Sequence, residues 1–231
     1  MPPNHYLSAL AEWLPGARPH WPARAAIGKS VVTTALLDRV AKRQQRPIFE
    51  APVGFKWFVP GLLRGAVALA CEESAGASPL RRDGRAWTTD KDGIVPALLA
   101  AEAMARTGCD PAQLYQRLVS DLGEPCFDRV EAPCSLAQKR RLAAWSASTL
   151  SQRELAGEAI DRVLTEAPGN GASIGGVKIE TKNGWFAARP SGTEALYRIY
   201  AESFINQAHL QQLLAQAQAL VDHVLGENAP A

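Results

Sequence analysis

The chain has 231 residues, of which 47% are hydrophobic and 21% are charged, a composition that allows one large or two ordinary globular domains. Its net charge of +2 includes no long basic block, which argues against nucleic acid or an anionic membrane as the main partner. The longest uncharged apolar runs, near residues 66–71 and 94–101, are too short to span a bilayer, and the opening residues MPPNHYLSAL lack the regions of a secretory signal.

The cysteines and histidines indicate the compartment and argue against a zinc site. The four cysteines, Cys71, Cys109, Cys126 and Cys134, have no paired short spacing, and no segment combines a histidine with two cysteines. Reduced thiols without a disulfide framework are typical of a cytoplasmic protein. We therefore predict a cytoplasmic location and no metal site built from these residues.

The first half of the chain alternates between apolar, strand-like runs and segments with helical periodicity. The predicted strands cover residues 25–32, 47–53 and 66–71. The predicted helices cover residues 4–14, with Asn4 as the N-cap, and residues 34–46, 55–64, 90–107 and 111–122. Strands alternating with helices are the signature of a layered α/β domain. We place this domain at residues 1–123 and predict a mixed sheet flanked by helices.

From residue 124 the pattern changes to that of an antiparallel sheet. The predicted strands cover residues 127–132, a hairpin over 177–188 that turns at Asn183-Gly184, and residues 196–204. The predicted helices cover residues 135–145, capped by Ser135, and 208–225, ending at Gly226, whereas residues 146–176 indicate an irregular loop. We predict a smaller, TBP-like α+β domain over residues 124–231, with an antiparallel four-stranded sheet and two helices on one side.

A basic loop lies between two strand-like runs of this second domain. It offers the guanidinium groups of Arg189 and Arg198, the hydroxyls of Ser191 and Thr193, and a backbone N–H left uncovered at Gly192. A phosphate monoester, with roughly −1.5 to −2 charges at pH 7 and three acceptor oxygens, needs groups of this kind. The same composition also fits an ordinary tight turn with a surface arginine.

Polar residues also follow two of the predicted strands of the first domain. Gly54 and Lys56 come after the second strand, and Glu72 and Ser74 come after the third. In open α/β sheets ligands bind beyond the carboxyl ends of strands, so these side chains suit the hydroxyls of a polyol. Lys91 stands between two aspartates where the long helix is predicted to begin. Each group also has a plain structural explanation, as a solvated turn, a helix start or a helix cap.

Five segments stop looking independent when they are taken together, because their order and spacing form a known pattern. They are GFKWF (54–58), CEESAGAS (71–78), TDKDG (89–93), APGNGASIGG (167–176) and NGWFAARPSGTE (183–194). The chain resembles the bacterial glucose-specific phosphoglucomutases of the α-D-phosphohexomutase superfamily over nearly its whole length. It resembles only the C-terminal half of that four-domain enzyme: residues 1–123 are similar to the third domain and 124–231 to the fourth.

The resemblance implies a reaction and assigns roles in the first domain. The family interconverts glucose 1-phosphate and glucose 6-phosphate through glucose 1,6-bisphosphate, with Mg²⁺. Glu72 and Ser74 resemble the pair that binds the sugar hydroxyls, while Gly54 and Lys56 fall in the loop that senses which end of the glucose is presented. Lys91 resembles a lysine near the reacting phosphate.

In the second domain the resemblance assigns a phosphate clamp. Its members are Arg189, Ser191, Gly192, Thr193 and Arg198, which together resemble the group that holds the non-reacting phosphate. The first domain departs from the wider superfamily at one position, where Cys71 precedes the two glutamates in place of the usual glycine.

The chemical half of the family enzyme is absent from this sequence. We find no candidate phosphoserine loop and no aspartate-rich magnesium loop, so the Mg²⁺ ligands of the family enzyme are missing. Three hypotheses stay open: a C-terminal half that needs a separate N-terminal half chain as partner, a catalytically inactive sugar-phosphate binding module, or a truncated remnant.

Overall fold

The structure is a computed structural model that describes residues 1–87 and 90–226. Thr89, the first residue of the TDKDG segment, lies outside the described residues. The chain forms two compact units. The first comprises Met1–Glu124 together with Pro168–Asn170, and the second comprises Pro125–Ala167 and Gly171–Ala231. Our proposal for the domain boundary remains residue 123.

The first unit is built on a four-stranded mixed sheet flanked by helices, as predicted. Its strands are β1 (Ala26–Ser30), β2 (Ile48–Ala51), β3 (Val67–Glu72) and β4 (Gly76–Pro79). Their order is β2-β1-β3-β4; β1 pairs in parallel with β2 and β3, and β4 is antiparallel to β3. Its helices are α1 (Pro3–Trp13), α2 (Leu36–Arg43), α3 (Val59–Leu63), α4 (Ile94–Thr107) and α5 (Pro111–Leu122).

The central strands of this sheet are fully buried. Every residue of β1 and of β3 is buried, including Lys29 and Glu72, as expected for strands covered by helices on both faces. Helix α5 has the predicted bounds because Asp110 and Gln113 form a capping box at its start. The carboxyl ends of β1, β2 and β3 therefore share one edge of the sheet.

Several local details of the first unit differ from the predictions. The helix predicted over residues 55–64 is a 3₁₀ turn, Phe55–Trp57, followed by the short helix α3. Strand β4 was not predicted. The helix predicted from residue 90 begins at Ile94, since the Asp92 carboxylate accepts hydrogen bonds from the N–H groups of Ile94 and Val95. Asn4 is not an N-cap: it lies buried inside α1, and its Oδ1 accepts a hydrogen bond from the backbone of Thr34.

The second unit contains an antiparallel sheet with two α-helices packed against it. Its strands are β5 (Cys126–Pro133), β6 (Glu154–Leu155), β7 (Glu158–Glu166), β8 (Ser173–Thr181), β9 (Gly184–Pro190) and β10 (Leu196–Ser203), and its helices are α6 (Leu136–Ala143) and α7 (Gln207–Leu225). The strand order is β5-β10-β9-β8-β7-β6. The predicted caps are confirmed: Ser135 begins α6 with a capping box, and Gly226 ends α7 in the left-handed conformation.

The fold class is confirmed, but the sheet has six strands instead of the predicted four. Residues 146–176 do not form one irregular loop, because they contain β6, β7 and the start of β8. Most residues of β7 are partly or fully exposed, so charged side chains dilute the alternation that marks a half-buried strand. The core lies between the sheet and the apolar stripe of α7, which includes Leu210, Leu213 and Val221.

Two findings bear on the environment of the chain. Among the described helices, none combines the length and hydrophobicity that crossing a bilayer requires. The four cysteines are free thiols.

Candidate functional site

The carboxylate of Glu72 is the centre of a hydrogen-bonded group in the first unit. Glu72 is the last residue of β3 and is only 2% exposed. Its Oε1 accepts a hydrogen bond from the backbone N–H of Gly54 at 2.9 Å, and its Oε2 accepts one from Lys91 Nζ at 3.0 Å. A buried carboxylate needs such partners, because an unpaired charge in this position is costly. The structure thus brings together three segments that the sequence singled out separately.

Lys91 links Glu72 to the hydroxyl of Ser74. Its Nζ lies 3.0 Å from Ser74 Oγ, so one ammonium joins the two groups that resemble the sugar-binding pair. The stem of Lys91 packs over Gly76, where a Cβ atom would lie 2.2 Å from Lys91 Cδ and 2.7 Å from its Cβ and Cγ. Lys91 can therefore adopt this conformation only because residue 76 is a glycine without a side chain.

Alanine at position 76 is expected to displace Lys91 and leave the Glu72 carboxylate without its ion pair. We expect the Gly76→Ala variant to lose about 1–3 kcal/mol of unfolding free energy, the range for a buried polar group that loses a partner. Urea unfolding followed by fluorescence measures this loss. Gly16→Ala is the matched control, because a Cβ atom there meets nothing within 4 Å. Equal stability of the two variants would contradict the packing of Lys91 over Gly76.

Gly54 and Lys56 behave differently although they share a loop. Gly54 has a φ of 124°, which L-residues with a side chain rarely adopt, and this conformation presents its N–H to Glu72. Lys56 takes no part in the Glu72 group: its Nζ lies 4.9 Å from the centroid of the Trp57 ring. Cys71 is fully buried in β3, and burial raises the pKa of its thiol, so the position accepts the cysteine as a small apolar residue.

The structure adds Glu73, which sequence reasoning did not select. Its backbone N–H donates to Thr33 Oγ1 at 3.3 Å, and its Oε2 accepts from Ser30 Oγ at 3.3 Å. Ser30 and Thr33 are themselves hydrogen-bonded at 2.8 Å, so the loop after β3 is attached to the loop after β1. Burial, and to a smaller extent the neighbouring Glu72 carboxylate, raises the pKa of Glu73.

This raised pKa predicts a dependence of stability on pH. A carboxyl whose pKa is higher in the folded state binds its proton more tightly there, so its contribution to stability falls as pH rises from the usual carboxyl range through the raised pKa. We expect Glu73→Gln to be more stable than the parent chain at pH 7, with the difference disappearing near pH 4. Urea unfolding between pH 4 and pH 8 tests this.

Glu102→Gln is the control for the sign of the Glu73 effect. The hydrogen bond from Arg18 lowers the pKa of Glu102, so its contribution to stability is present at neutral pH and is lost as pH falls. Glu102→Gln should therefore destabilise the chain at pH 7. A Glu73→Gln variant that is also less stable at pH 7 would show that its hydrogen bonds outweigh its burial.

In the second unit the basic loop connects β9 to β10. Ser191 N–H donates to Leu196 O at 2.8 Å, and Glu194 N–H donates to Ser191 Oγ at 3.2 Å. Gly192 and Thr193, at the tip, are exposed, and their N–H groups and the Thr193 hydroxyl have no hydrogen-bond partner among the described residues. Three donors are therefore free for a ligand at the tip of this loop.

The two arginines in the strands that flank the loop differ in whether a carboxylate neutralises them. Arg198 Nε donates to Glu131 at 2.9 Å and its Nη2 donates to Glu194 at 2.5 Å, and the bond to Glu131 raises the pKa of Arg198. Arg189 lies directly opposite Arg198 in the β9–β10 pair. Its Nε is buried, and its side chain has no hydrogen bond or ion pair with any residue that the structure describes. Arg189 is therefore an uncompensated cation.

The described residues do not fit a magnesium site. Within residues 1–87 and 90–226 no group of three acidic, histidine or cysteine side chains is placed to hold a metal ion. Asp92 caps α4, and Asp90 Oδ1 accepts from the N–H of Lys91. We therefore derive no metal-dependent step from this chain.

The candidate site thus consists of two groups, one in each unit. The first contains Gly54, Glu72, Ser74 and Lys91, and the second contains Arg189, Ser191, Gly192, Thr193 and Arg198. Sequence reasoning missed Glu131, which neutralises Arg198 from β5, because nothing in the spacing links residues 67 positions apart.

Comparison with known proteins shows similarity along both units. Residues 2–122 match the phosphoglucomutase/phosphomannomutase alpha/beta/alpha domain III, and residues 149–220 match the phosphoglucomutase/phosphomannomutase C-terminal domain. The chain is 50% identical to the phosphoglucomutase of Komagataeibacter xylinus over 229 residues, which cover 99% of this chain and 41% of that protein. The chain thus spans about two fifths of this relative's length.

Solved structures show the same fold. The crystal structure of a phosphoglucomutase/phosphomannomutase family protein from Burkholderia thailandensis superimposes with a TM-score of 0.69 at 20% identity, over 96% of this chain and 42% of that one. An Aspergillus fumigatus N-acetylphosphoglucosamine mutase in complex with glucose 1,6-bisphosphate superimposes with a TM-score of 0.61 at 14% identity, over 95% of this chain and 43% of that one. At these identities the likeness concerns the fold alone.

Proposed function

The chain belongs to the phosphoglucomutase/phosphomannomutase family, and on this premise we propose that it is the sugar- and phosphate-recognition half of a phosphoglucomutase. The whole enzyme would interconvert glucose 1-phosphate and glucose 6-phosphate through glucose 1,6-bisphosphate. Its phosphoserine and its Mg²⁺ ligands would belong to the part of the enzyme that this chain does not cover. The reaction would take place in the cytoplasm, where its sugar phosphates are found.

The observation that carries the proposal is the uncompensated guanidinium of Arg189. It lies at the start of a loop whose tip has two free N–H groups and a free hydroxyl. A phosphate carries the charge that Arg189 lacks nearby, and it accepts hydrogen bonds from all of these donors. Arg189, Ser191, Gly192 and Thr193, supported by Arg198, would hold the phosphate that is not reacting.

The Glu72 group supports the sugar-binding part of the proposal. A carboxylate held in place by Gly54 and Lys91 accepts hydrogen bonds from sugar hydroxyls without having to reorganise. The Ser74 hydroxyl, which is exposed, donates or accepts as the sugar requires. Lys91 would lie near the reacting phosphate, and Lys56, apart from the group, would contact whichever end of the glucose extends towards its loop.

Calorimetric titration tests recognition by the chain alone. We expect glucose 1-phosphate and glucose 6-phosphate to bind with millimolar or tighter dissociation constants, and mannose 6-phosphate to bind more weakly if the site is specific for glucose. Absence of binding by all three sugar phosphates would contradict the proposal.

A second experiment separates the catalytic half from a binding module. The described residues hold recognition groups but no cluster suited to a metal, which is the observation that keeps an inactive sugar-phosphate binding module as the alternative. Mixing the chain with a polypeptide that carries the first two domains of the family enzyme should restore mutase activity in a coupled assay. Binding without any restored activity would favour the binding module, and an unfolded chain would indicate a truncated remnant.

A further inference from the structure

A lysine that no sequence motif indicates is hydrogen-bonded to the backbone of the basic loop between β9 and β10. Lys139, on α6, donates hydrogen bonds from its Nζ to the backbone carbonyl of Ser191 at 2.8 Å and to that of Glu194. Lys139 is half-buried and has no carboxylate partner among the described residues. An ammonium group that binds two carbonyl oxygens of one short loop restrains the shape of that loop.

Because the peptide bond is planar, fixing the two carbonyl groups also fixes the direction of the N–H groups in the same peptide units. The Ser191 carbonyl belongs to the same peptide unit as the Gly192 N–H, and the Glu194 carbonyl belongs to the same unit as the Ala195 N–H. None of the described peptide bonds is cis, so in each unit the C=O and N–H groups point in opposite directions. Holding the two oxygens towards Lys139 therefore directs the N–H groups of Gly192 and Ala195 away from it.

Those N–H groups have no internal role that would otherwise explain their direction. Three other amides of the loop are used: Ser191 N–H donates to Leu196 O, Glu194 N–H to Ser191 Oγ, and Leu196 N–H to Glu194 O, whereas the Thr193 N–H is free as described above. The N–H groups of Gly192 and Ala195 have no acceptor among the residues that the structure describes. Free N–H groups on the exposed side of a short loop are donors that an anion can use.

We propose that Lys139 is a positioning residue for phosphate recognition by the loop 189–194. It acts from the side opposite to the ligand, by holding two carbonyl dipoles so that the free N–H groups face the phosphate. This inference rests on the proposed function, since it assumes that the loop binds a phosphate. Lys139 does not itself touch the ligand, which separates its role from that of Arg189.

The test uses substitutions at position 139 with a control on the same helix. Lys139→Met keeps the length of the side chain and removes the donors, Lys139→Arg keeps a donor and the charge, and Arg140→Met changes an exposed neighbour. We expect Lys139→Met to weaken binding of inorganic phosphate and of glucose 6-phosphate at least 10-fold. Lys139→Arg should recover part of this loss, and Arg140→Met should stay within twofold of the parent chain.

An NMR measurement separates positioning from general stability. In the parent chain, saturation with inorganic phosphate should shift the amide resonances of Gly192 and Ala195. In Lys139→Met these shifts should be lost, while the resonances of the sheet and the melting temperature stay close to those of the parent. If Lys139→Met does not fold, Lys139→Ala, which also removes the ammonium donors, is judged by the same criteria.

The outcomes distinguish the inference from the proposed function. Phosphate binding by Lys139→Met within twofold of the parent chain would overturn the inference and leave the proposed function intact. A parent chain that binds neither inorganic phosphate nor a sugar phosphate would overturn both. Equal loss of binding in Lys139→Met and Arg140→Met would show that the loss comes from the lower net positive charge, and it would also overturn the positioning role.

Discussion

Replacing Gly176 by alanine is expected to lower the unfolding free energy of the second unit by about 3 kcal/mol, the upper part of the usual range for overpacking. Gly176 lies in β8, where a Cβ atom would be 2.1 Å from the Ala188 carbonyl oxygen and 3.0 Å from Arg189 Cα. These are backbone atoms of β9, so no rotamer change relieves the clash. The neighbouring strand would have to move at the point where the basic loop begins.

Thermal unfolding measures this effect on the second unit. A loss of this size should lower the melting temperature by more than about 10 °C in a unit of roughly 100 residues. Gly192→Ala is the matched control, because a Cβ atom there meets nothing within 4 Å and its φ lies outside the left-handed region. We expect that control to be neutral or slightly stabilising. A Gly176→Ala variant as stable as Gly192→Ala would show that β8 and β9 do not approach as closely as described.

Replacing Arg189 by alanine is expected to weaken the binding of glucose 6-phosphate at least about 30-fold, or about 2 kcal/mol, because a phosphate would lose its charged hydrogen-bond donor. Arg198 cannot take over this role without first releasing Glu131 and Glu194, which already neutralise it. In the free protein the change removes one of two like charges at directly paired positions of β9 and β10. Stability without ligand should therefore be unchanged or slightly higher.

Calorimetric titration and thermal unfolding together test this pair of effects. Arg162→Ala is the control: this arginine lies on β7 and is paired with Glu180 at 2.5 Å, so its loss should not change phosphate binding. Arg189→Lys keeps the charge but not the planar fork, and should bind with intermediate affinity. An unchanged dissociation constant for Arg189→Ala would remove this residue from the clamp.

Much of the fold was predictable because its signals are local. Helix α5 begins at a proline after a capping aspartate, α6 begins after Ser135, and α7 ends at a glycine in the left-handed conformation. These are preferences of a few neighbouring residues. The alternation of buried strands with helices was sufficient to predict the mixed sheet of the first unit.

The missed strands show where local signals fail. No residue of β7 is fully buried, and charged residues such as Asp161 and Arg162 interrupt its apolar positions, so the alternation typical of a strand is incomplete. It forms a strand because β8 provides hydrogen-bonding partners on one side. The paired positions run from Ile160 opposite Thr181 to Glu166 opposite Ser173. Such pairing depends on where the neighbouring strand lies, and propensity alone does not encode it.

The sequence alone determined the fold class, the family resemblance and the residue types of both candidate groups, because these depend on composition, periodicity and motif spacing. Only the tertiary structure decided which residues of these groups are hydrogen-bonded or ion-paired. Glu72 binds Gly54 and Lys91, 18 and 19 residues away, and Arg198 is neutralised while Arg189 is not. The physical reason is that hydrogen bonds and ion pairs depend on distances of about 3 Å between donor and acceptor atoms, which sheet topology sets and sequence separation does not.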